Sequence, residues 1–257
     1  MKYYLSILIL LCAYTVKAQS ISSQTLEDKK RELEDEIAKI MQGEWEEIAE
    51  EKVDFGNFKS TKQYDEESGL FTMRLQATVN FPIIDAASVW FSNSDLKKDW
   101  MDMCEDMRHI EKVKEVEDSQ MRFYSNIHQF IGEPVLFIKG RTFISQDYTN
   151  IDKQKKSIQN IGSAVRNAEK NFSKHLSDDL VLGKIIVSKS YMEQNQIDPK
   201  KTNLDFLVLV DPQGSIPSWI VNLVSRNWPQ KTFYGLINQI QKNEHKKVDF
   251  FREITKQ

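Results

Sequence analysis

One apolar strand near the C-terminus constrains the fold most. Residues 204–210 read LDFLVLV, and apolar side chains occupy both of the alternating sets. A strand of this composition is covered on both faces. The chain must therefore supply a layer of structure for each face of the sheet that contains this strand.

A turn and a helix are predicted directly after this strand, in the sequence DPQGSIPSWIVN. Residues 211–214 suit a type I turn, because aspartate is favoured at its first position, proline at its second and glycine at its fourth. Ser215 or Ile216 is expected to cap the helix, with Pro217 in the first turn, where the missing N–H costs little.

An apolar stripe divided by Pro229 marks this C-terminal helix. Pro229 is expected to kink or interrupt the helix. Periodicity leaves two functions open for the stripe, because it either covers a core or closes an apolar cavity. Its first part contains Ile216, Trp219, Ile220, Leu223 and Val224, and its second part contains Phe233, Leu236, Ile237 and Ile240.

The N-terminal half of the chain predicts a helix, strands and two further helices. Apolar residues at spacings of three, four and seven predict one long amphipathic helix over residues 26–48. Near-alternation over residues 53–81 predicts two or three antiparallel strands. Residues 83–93 then suit a short helix, and residues 94–113 suit a second helical stretch.

Five more strands are predicted, at residues 120–129, 140–151, 155–165, 183–194 and 202–210. Residues 166–180 are polar and lack sustained periodicity, so we expect a surface loop or lid there. No linker divides the chain. Residues 19–257 are therefore expected to form a single α+β domain.

The first 18 residues have the pattern of a secretory signal peptide. Lys2 precedes an apolar run over residues 3–14, and Val16 and Ala18 have the spacing of a cleavage site after Ala18. The run is shorter than the roughly 20 apolar residues of a bilayer-spanning helix. An uncleaved anchor is the alternative. The leader predicts the secretory pathway, with the protein secreted or kept in an endomembrane lumen.

The predicted entry into the secretory pathway bears on two residues, Cys104 and Asn171. Cys104 is the only cysteine after cleavage, so we expect no disulfide within the chain and a buried, inert thiol. Asn171 begins the sequence Asn-Phe-Ser and is a candidate glycosylation site.

Composition argues against polyanions and metal ions as partners. The formal net charge is −3, whereas binding a nucleic acid needs clustered Lys and Arg. The acids at residues 99–106 lack the glycine of an EF-hand loop, so no metal site is predicted. We expect no nucleic-acid partner and no cofactor.

A resemblance to a known family rests on four places in the chain. They are Trp45 in the predicted first helix, Trp100, the strand opening at Arg141-Thr142-Phe143-Ile144, and above all the sequence DPQGSIPSWIVN. From Trp45 to Ile240 the chain resembles a START domain, of the StAR-related lipid-transfer family. Trp100, Asp211, Gly214 and Pro217 are the residues that match the family pattern.

This resemblance implies a helix-grip fold, in which a curved antiparallel sheet surrounds a long C-terminal helix and encloses an apolar tunnel for one lipid. The C-terminal helix and the loop over residues 162–183 are the implied gate. The candidate tunnel and gate residues are His128, Arg141, Asp147, Tyr191, Phe206, Val208, Ile216, Trp219 and Leu223.

The sequence also departs from the family pattern. Thr142 stands where members usually have aspartate, and Asp147 stands near a common arginine position. An unpaired Asp147 facing the tunnel would be expensive to keep ionised. The head-group specificity of relatives therefore does not transfer to this chain.

The resemblance implies non-enzymatic binding and transfer of one lipid, of the phospholipid or sterol class, by a monomer that contacts membranes transiently. One alternative is a helix-grip enzyme acting on an apolar substrate in the same cavity, with His128 as the only histidine expected to face it. The other is an interaction module whose tunnel is filled by its own side chains. A measured cavity volume distinguishes that module from a lipid-binding protein.

Overall fold

The computed structural model describes residues 26–66, 68–91, 94–135, 138–216, 218–243 and 247–252. Ala18 and Pro217, and with Ala18 the predicted leader, lie outside these residues. The chain divides into two compact units, residues 1–42 and 43–257. The described part of the first unit is helix α1, residues 26–41.

The prediction of one long helix over residues 26–48 is wrong in its last turns. Helix α1 ends at residue 41, shortly before the poor helix former Gly43. The next residues form strand β1 (Glu46–Val53), which pairs antiparallel with strand β2 (Gly56–Asp65). Trp45 therefore precedes a strand. Pairing with β2 satisfies the backbone hydrogen bonds of this segment and overrides its helical spacing.

The larger unit contains one sheet, to which ten described strands contribute. Besides β1 and β2, the strands are β3 (Leu70–Val79), β4 (Cys104–Glu117), β5 (Met121–Gly132), β6 (Arg141–Asp152), β7 (Ser157–Ala164), β8 (Val181–Leu182), β9 (Lys184–Gln194) and β10 (Thr202–Asp211). The order of strands in the sheet is β1-β2-β3-β10-β9-β7-β6-β5-β4, with antiparallel neighbours, and β8 lies parallel to β6.

The predicted helical stretch over residues 94–113 is only partly correct. A 3-10 helix covers Ser94–Asp99, residues 100–103 form a turn, and the residues from Cys104 onward belong to the long edge strand β4. Charged residues alternate irregularly along this strand, and three register shifts interrupt its pairing with β5. Charges and bulges are usual on edge strands because they prevent further pairing. They also obscure the period of two on which a strand prediction depends.

Three further helices belong to the larger unit: α2 (Ile83–Phe91), α3 (Ala168–Asn171) and α4 (Ser218–Lys242). Helix α2 confirms the short helix predicted at residues 83–93. Helix α4 runs through Pro229 without interruption. Among the described residues, none of the helices combines the length and the apolar character that a membrane crossing requires.

The turn between β10 and α4 differs from the expected type I turn. Gln213 has a φ of 53°, whereas the third residue of a type I turn has a φ near −90°. The Asp211 carboxylate accepts a hydrogen bond from the Gln213 backbone N–H at 2.8 Å and holds this left-handed conformation. Helix α4 begins at Ser218, after the predicted cap at Ser215 or Ile216.

Strand β10 is buried on both faces, as its composition predicts. We call the face that carries Leu204 and Phe206 the inner face, and the face that carries Leu207 and Leu209 the outer face; all four side chains are at most 3% exposed. On the inner face, Phe206 belongs to the main core, which includes residues of α2 and α4. The sheet is thus the central layer of the unit.

Candidate functional site

A cavity of about 310 Å³ lies between the inner face of the sheet and the first half of α4. The sheet contributes Met73, Phe130, Phe143, Ile185, Val208 and Val210. These side chains come from strands β3, β10, β9, β6 and β5, near the end of the sheet where β6 begins and β10 ends. The wall formed by the sheet is therefore apolar apart from Arg141, which lines the cavity where β6 begins.

Helix α4 and neighbouring loops close the cavity from the other side. Ile220, Val221, Val224 and Trp228 line it from α4, and Ile216 lines it from the turn. Their spacing of three and four residues places one face of the helix towards the sheet. The first part of the apolar stripe therefore lines a cavity.

The second part of the stripe has a different function. Phe233, Leu236, Ile237 and Ile240 are at most 5% exposed and belong to the main core. Tyr234 and Gln230 also donate hydrogen bonds of 2.7 and 2.8 Å to the Glu51 carboxylate of β1. Both alternatives that periodicity leaves open are thus realised, on opposite sides of Pro229.

Charged side chains occur at the rim of the cavity. Glu133 and Lys139 are exposed, and Asp102 accepts a hydrogen bond from Lys231 at 3.1 Å. Arg141 donates from Nε to the Pro212 carbonyl at 3.1 Å, and its other nitrogens donate to the Gln213 and Lys139 carbonyls. Arg141 therefore fastens β6 to the turn that precedes α4.

Three ionisable side chains, His128, Asp147 and Lys97, lie beyond the apolar wall, and we call them the polar group. His128 lies two residues before Phe130 on β5, and Asp147 lies four residues after Phe143 on β6, so all four side chains are on the same face. His128 Nε2 and Asp147 Oδ2 are 3.9 Å apart, too far for a hydrogen bond. Their side chains keep 19% and 16% of their surface accessible.

Burial sets the protonation of this polar group. Burial raises the pKa of Asp147 to about 6, although the ammonium of Lys97 opposes the shift. Burial, followed by repulsion from Lys97, lowers the pKa of His128 to about 4. Burial also lowers the pKa of Lys97, against the attraction of Asp147. At neutral pH, His128 is therefore an uncharged imidazole, and its buried Nδ1 lacks a hydrogen-bond partner among the described residues.

Aromatic side chains fill the inner face next to this polar group. The rings of Trp90 and Phe206 stack with centroids 3.8 Å apart, and Trp90 Nε1 donates to Ser190 Oγ at 3.2 Å. Trp100 packs on Trp90 with centroids 5.5 Å apart. These three aromatic side chains belong to the main core and do not line the cavity.

Several sequence-predicted residues occur in or near the cavity. Val208, Ile216 and Arg141 line it. His128 and Asp147 lie on the same face of the sheet, beyond the apolar wall. Trp219 and Leu223 belong to α4, but their side chains lie outside the described part of the structure.

Other predicted residues have different surroundings. Phe206 is 1% exposed and is covered by Trp90, so it is a core residue. Tyr191 pairs with Asp205 on the outer face and donates to Glu193 at 2.7 Å, so its proposed place in the tunnel is corrected. Asp211 and Gly214 shape the turn, Trp100 is a core residue, and Asn171 is exposed at the end of α3.

The loop over residues 162–183 packs on the outer face instead of the cavity side. Ala168 belongs to a small apolar cluster with Ile127 and Ile144, and Phe172 and Leu176 pack against it. Ile127 and Ile144 have the opposite parity to Phe130 and Phe143. The cavity rim is instead built by Glu133, Val135, Ile138, Lys139 and Arg141 and by the turn before α4.

Sequence reasoning missed three contributors to the site. Met101 and Met103 line the cavity from the segment between the 3-10 helix and β4. The sequence predicts a helix for this segment. Val135 and Ile138 line it from the β5–β6 loop. Lys97 reaches the polar group from the 3-10 helix. The apolar sequence around residues 135–138, unusual between two strands, is the one local signal that indicated such a role.

No family profile and no curated protein matches the sequence. Solved structures do match. Human StAR-related lipid transfer protein 5 has a TM-score of 0.68 at 12% identity, over 88% of this chain and 100% of that protein. Human STARD10 has a TM-score of 0.61 at 16% identity, over 78% and 75% of the two chains.

A bacterial structure also matches this chain. A fragment of a STAR-related lipid transfer protein from Xanthomonas axonopodis has a TM-score of 0.55 at 16% identity, covering 77% of this chain and 98% of that chain. Their shared architecture is a large antiparallel sheet with a C-terminal helix, as found here. The chain therefore has the helix-grip fold of START domains, as the resemblance implies.

Proposed function

We propose that this protein binds a single lipid in the cavity and transfers it between membranes without catalysis. The observation that carries the proposal is the apolar cavity of about 310 Å³ beneath the first half of α4. Each buried methylene contributes about 0.8 kcal/mol, so an enclosed acyl chain or ring system is bound strongly. Two of the similar structures, the human StAR-related lipid transfer protein 5 and the Xanthomonas axonopodis fragment, are named as lipid transfer proteins, which supports the same function.

The cavity volume favours one of the two expected lipid classes. Ligand cavities in proteins span about 300–1,000 Å³, and the volume of about 310 Å³ lies at the lower end of this range. A sterol or a single-chain lipid suits a small cavity better than a phospholipid with two long chains. We therefore propose the sterol class, or a single-chain lipid of similar size, over the phospholipid class.

The first half of α4 and the described rim residues Val135, Ile138 and Lys139 are the proposed gate, and they are also the proposed contact with the membrane. The second half of α4 is anchored in the core, whereas the first half faces the cavity. Opening at this rim exposes the apolar wall to a bilayer and avoids exposing it to water. The transfer reaction is proposed for a monomer, which light scattering during gel filtration tests.

A cavity-filling variant tests the proposed function. In Val208→Trp, the large ring occupies the apolar wall, so we expect transfer of a fluorescent sterol between vesicles to fall at least tenfold. Val116→Trp is the matched control, because Val116 is 54% exposed on the edge strand β4. Unfolding temperatures verify that both variants fold.

Native mass spectrometry of the purified protein identifies any lipid that remains bound. Absence of bound lipid, together with sterol and phosphatidylcholine transfer no faster than in buffer, would contradict lipid transfer. Phosphatidylcholine transfer faster than sterol transfer would contradict only the proposed class.

We also propose that the leader directs the protein into the secretory pathway. The proposal rests on the pattern of residues 1–18. N-terminal sequencing of the exported protein is expected to begin at Gln19. Recovery of the protein only in the cytosol with Met1 retained would contradict it.

A further inference from the structure

The opposite end of the sheet carries an exposed isoleucine surrounded by lysines. Ile197 is 94% exposed, more than any other large hydrophobic side chain among the described residues. It lies in the β9–β10 turn, which pairing places beside the β6–β7 turn. Strand β6 spans the sheet from the cavity rim to this end, a distance of roughly 35 Å at about 3.3 Å per residue.

The β9–β10 turn holds Ile197 in a fixed position. Asn195 Oδ1 accepts hydrogen bonds from the backbone N–H groups of Ile197 and Asp198, both at 3.0 Å. The Asn195 backbone N–H donates to the Lys201 carbonyl at 3.0 Å, and Gln194 N–H donates to the Lys156 carbonyl at the same distance. An apolar side chain presented by a rigid turn loses little conformational entropy when a partner covers it.

The two turns are positively charged on a chain whose net charge is −3. Residues 152–156 and 195–201 contain five lysines and two aspartates, and one of the lysines, the largely buried Lys153, forms an ion pair with Glu117 at 2.7 Å. Asp152 accepts backbone N–H bonds from Gln154 and Lys155, and Asp198 lies 3.5 Å from Lys201. Lys155, Lys156 and Lys200 are exposed, and no ion pair involves them within the described residues.

We propose that this end of the sheet, residues 152–156 and 195–201, binds an anionic lipid surface. Lysines attract the phosphate and carboxylate groups of such a surface, while the isoleucine enters the boundary between head groups and acyl chains. This contact lies far from the cavity rim and does not depend on the proposed cavity ligand. A protein that also opens at its rim would then contact membrane at both ends.

Vesicle flotation tests the proposal with the full mature chain. The probes are vesicles with equal parts of phosphatidylserine and phosphatidylcholine, and vesicles of phosphatidylcholine alone. Each lysine near an anionic surface contributes about a fivefold gain in binding, so Lys155→Gln with Lys200→Gln is expected to weaken binding about 25-fold. Ile197→Ser is expected to weaken it about tenfold. Lys156 is left unchanged because its φ is 50°.

The matched control is Lys170→Gln with Lys174→Gln, which removes the same charge from an exposed loop on the outer face. It is expected to bind anionic vesicles as the unmodified protein does. An equal loss in the control pair, unchanged binding in the Ile197 and Lys155/Lys200 variants, or equal binding to phosphatidylcholine vesicles would overturn the proposal. Binding of a fluorescent sterol in solution is expected to be the same in all variants, which separates this result from failure of the cavity function.

Discussion

At the scale of single residues, burial shifts the pKa values of two side chains on the inner face in opposite directions. Burial favours the neutral form of both Asp147 and His128, which is an acid in one case and a base in the other. The resemblance names both side chains as tunnel candidates, whereas residue type and spacing alone do not distinguish either from a solvated strand residue. Their shared face becomes evident only when β5 and β6 pair.

The pH dependence of stability separates these two residues. Between about pH 4 and pH 6, folded Asp147 binds a proton that the unfolded chain releases, so its contribution to stability falls as pH rises. Folded His128 releases a proton that the unfolded chain keeps up to about pH 6.5, so its contribution rises with pH. Each change amounts to about 2–3 kcal/mol.

We therefore expect the two contributions largely to cancel in the unmodified protein over this range. Relative to it, Asp147→Asn is expected to become more stable as pH rises, and His128→Gln less stable. Urea unfolding measured at several pH values checks both slopes. Identical pH profiles for the two variants would show that these groups are solvated.

At the scale of elements, α4 combines an anchored half with a half that covers the cavity. The sequence predicts both stripes and the intervening proline, but it does not predict which stripe faces empty space. Tyr234, Gln230 and the core contacts fix the second half. The first half is fastened through the turn, where Arg141 binds backbone carbonyls.

Replacing Arg141 tests this fastening. Lysine lacks the planar fork that reaches several carbonyl groups at once, so Arg141→Lys is expected to lower stability by about 1–2 kcal/mol. Hydrogen exchange at residues 211–216 is expected to accelerate. Lys139→Gln is the control, because only the backbone carbonyl of Lys139 takes part in this contact. Unchanged exchange in Arg141→Lys would contradict the fastening role.

The second half of α4 depends on a close backbone contact. A Cβ atom on Gly235 would lie 1.9 Å from the Trp100 carbonyl oxygen. Gly235→Ala is therefore expected to destabilise the protein by about 1–3 kcal/mol, although alanine favours helices. Asn238→Ala, at an exposed position of the same helix, is expected to change stability by less than about 0.5 kcal/mol. Thermal unfolding of both variants checks the difference, and a stabilised Gly235→Ala would contradict the contact.

At the scale of the whole molecule, the fold follows from a few strong local patterns and the cavity does not. The doubly apolar β10, the short α2 and the C-terminal helix are all present where the sequence predicts them, within a few residues. Edge elements were less predictable, because β1 and β4 carry charges whose spacing also suits a helix. Both become strands because a neighbour in the sheet satisfies their backbone groups.

The sequence by itself determined that a strand covered on both faces leads through a turn into a long amphipathic helix, because the spacing of apolar residues indicates both the type of element and its buried faces. Only the tertiary structure decided that Ile220 and Val224 line a cavity while Phe233 and Ile237 fill a core. Both pairs are apolar and have the same helical spacing. What differs is the sheet opposite them, where Trp90 covers Phe206 but leaves Val208 uncovered. Which strand residue is covered depends on side-chain packing between elements rather than on local sequence.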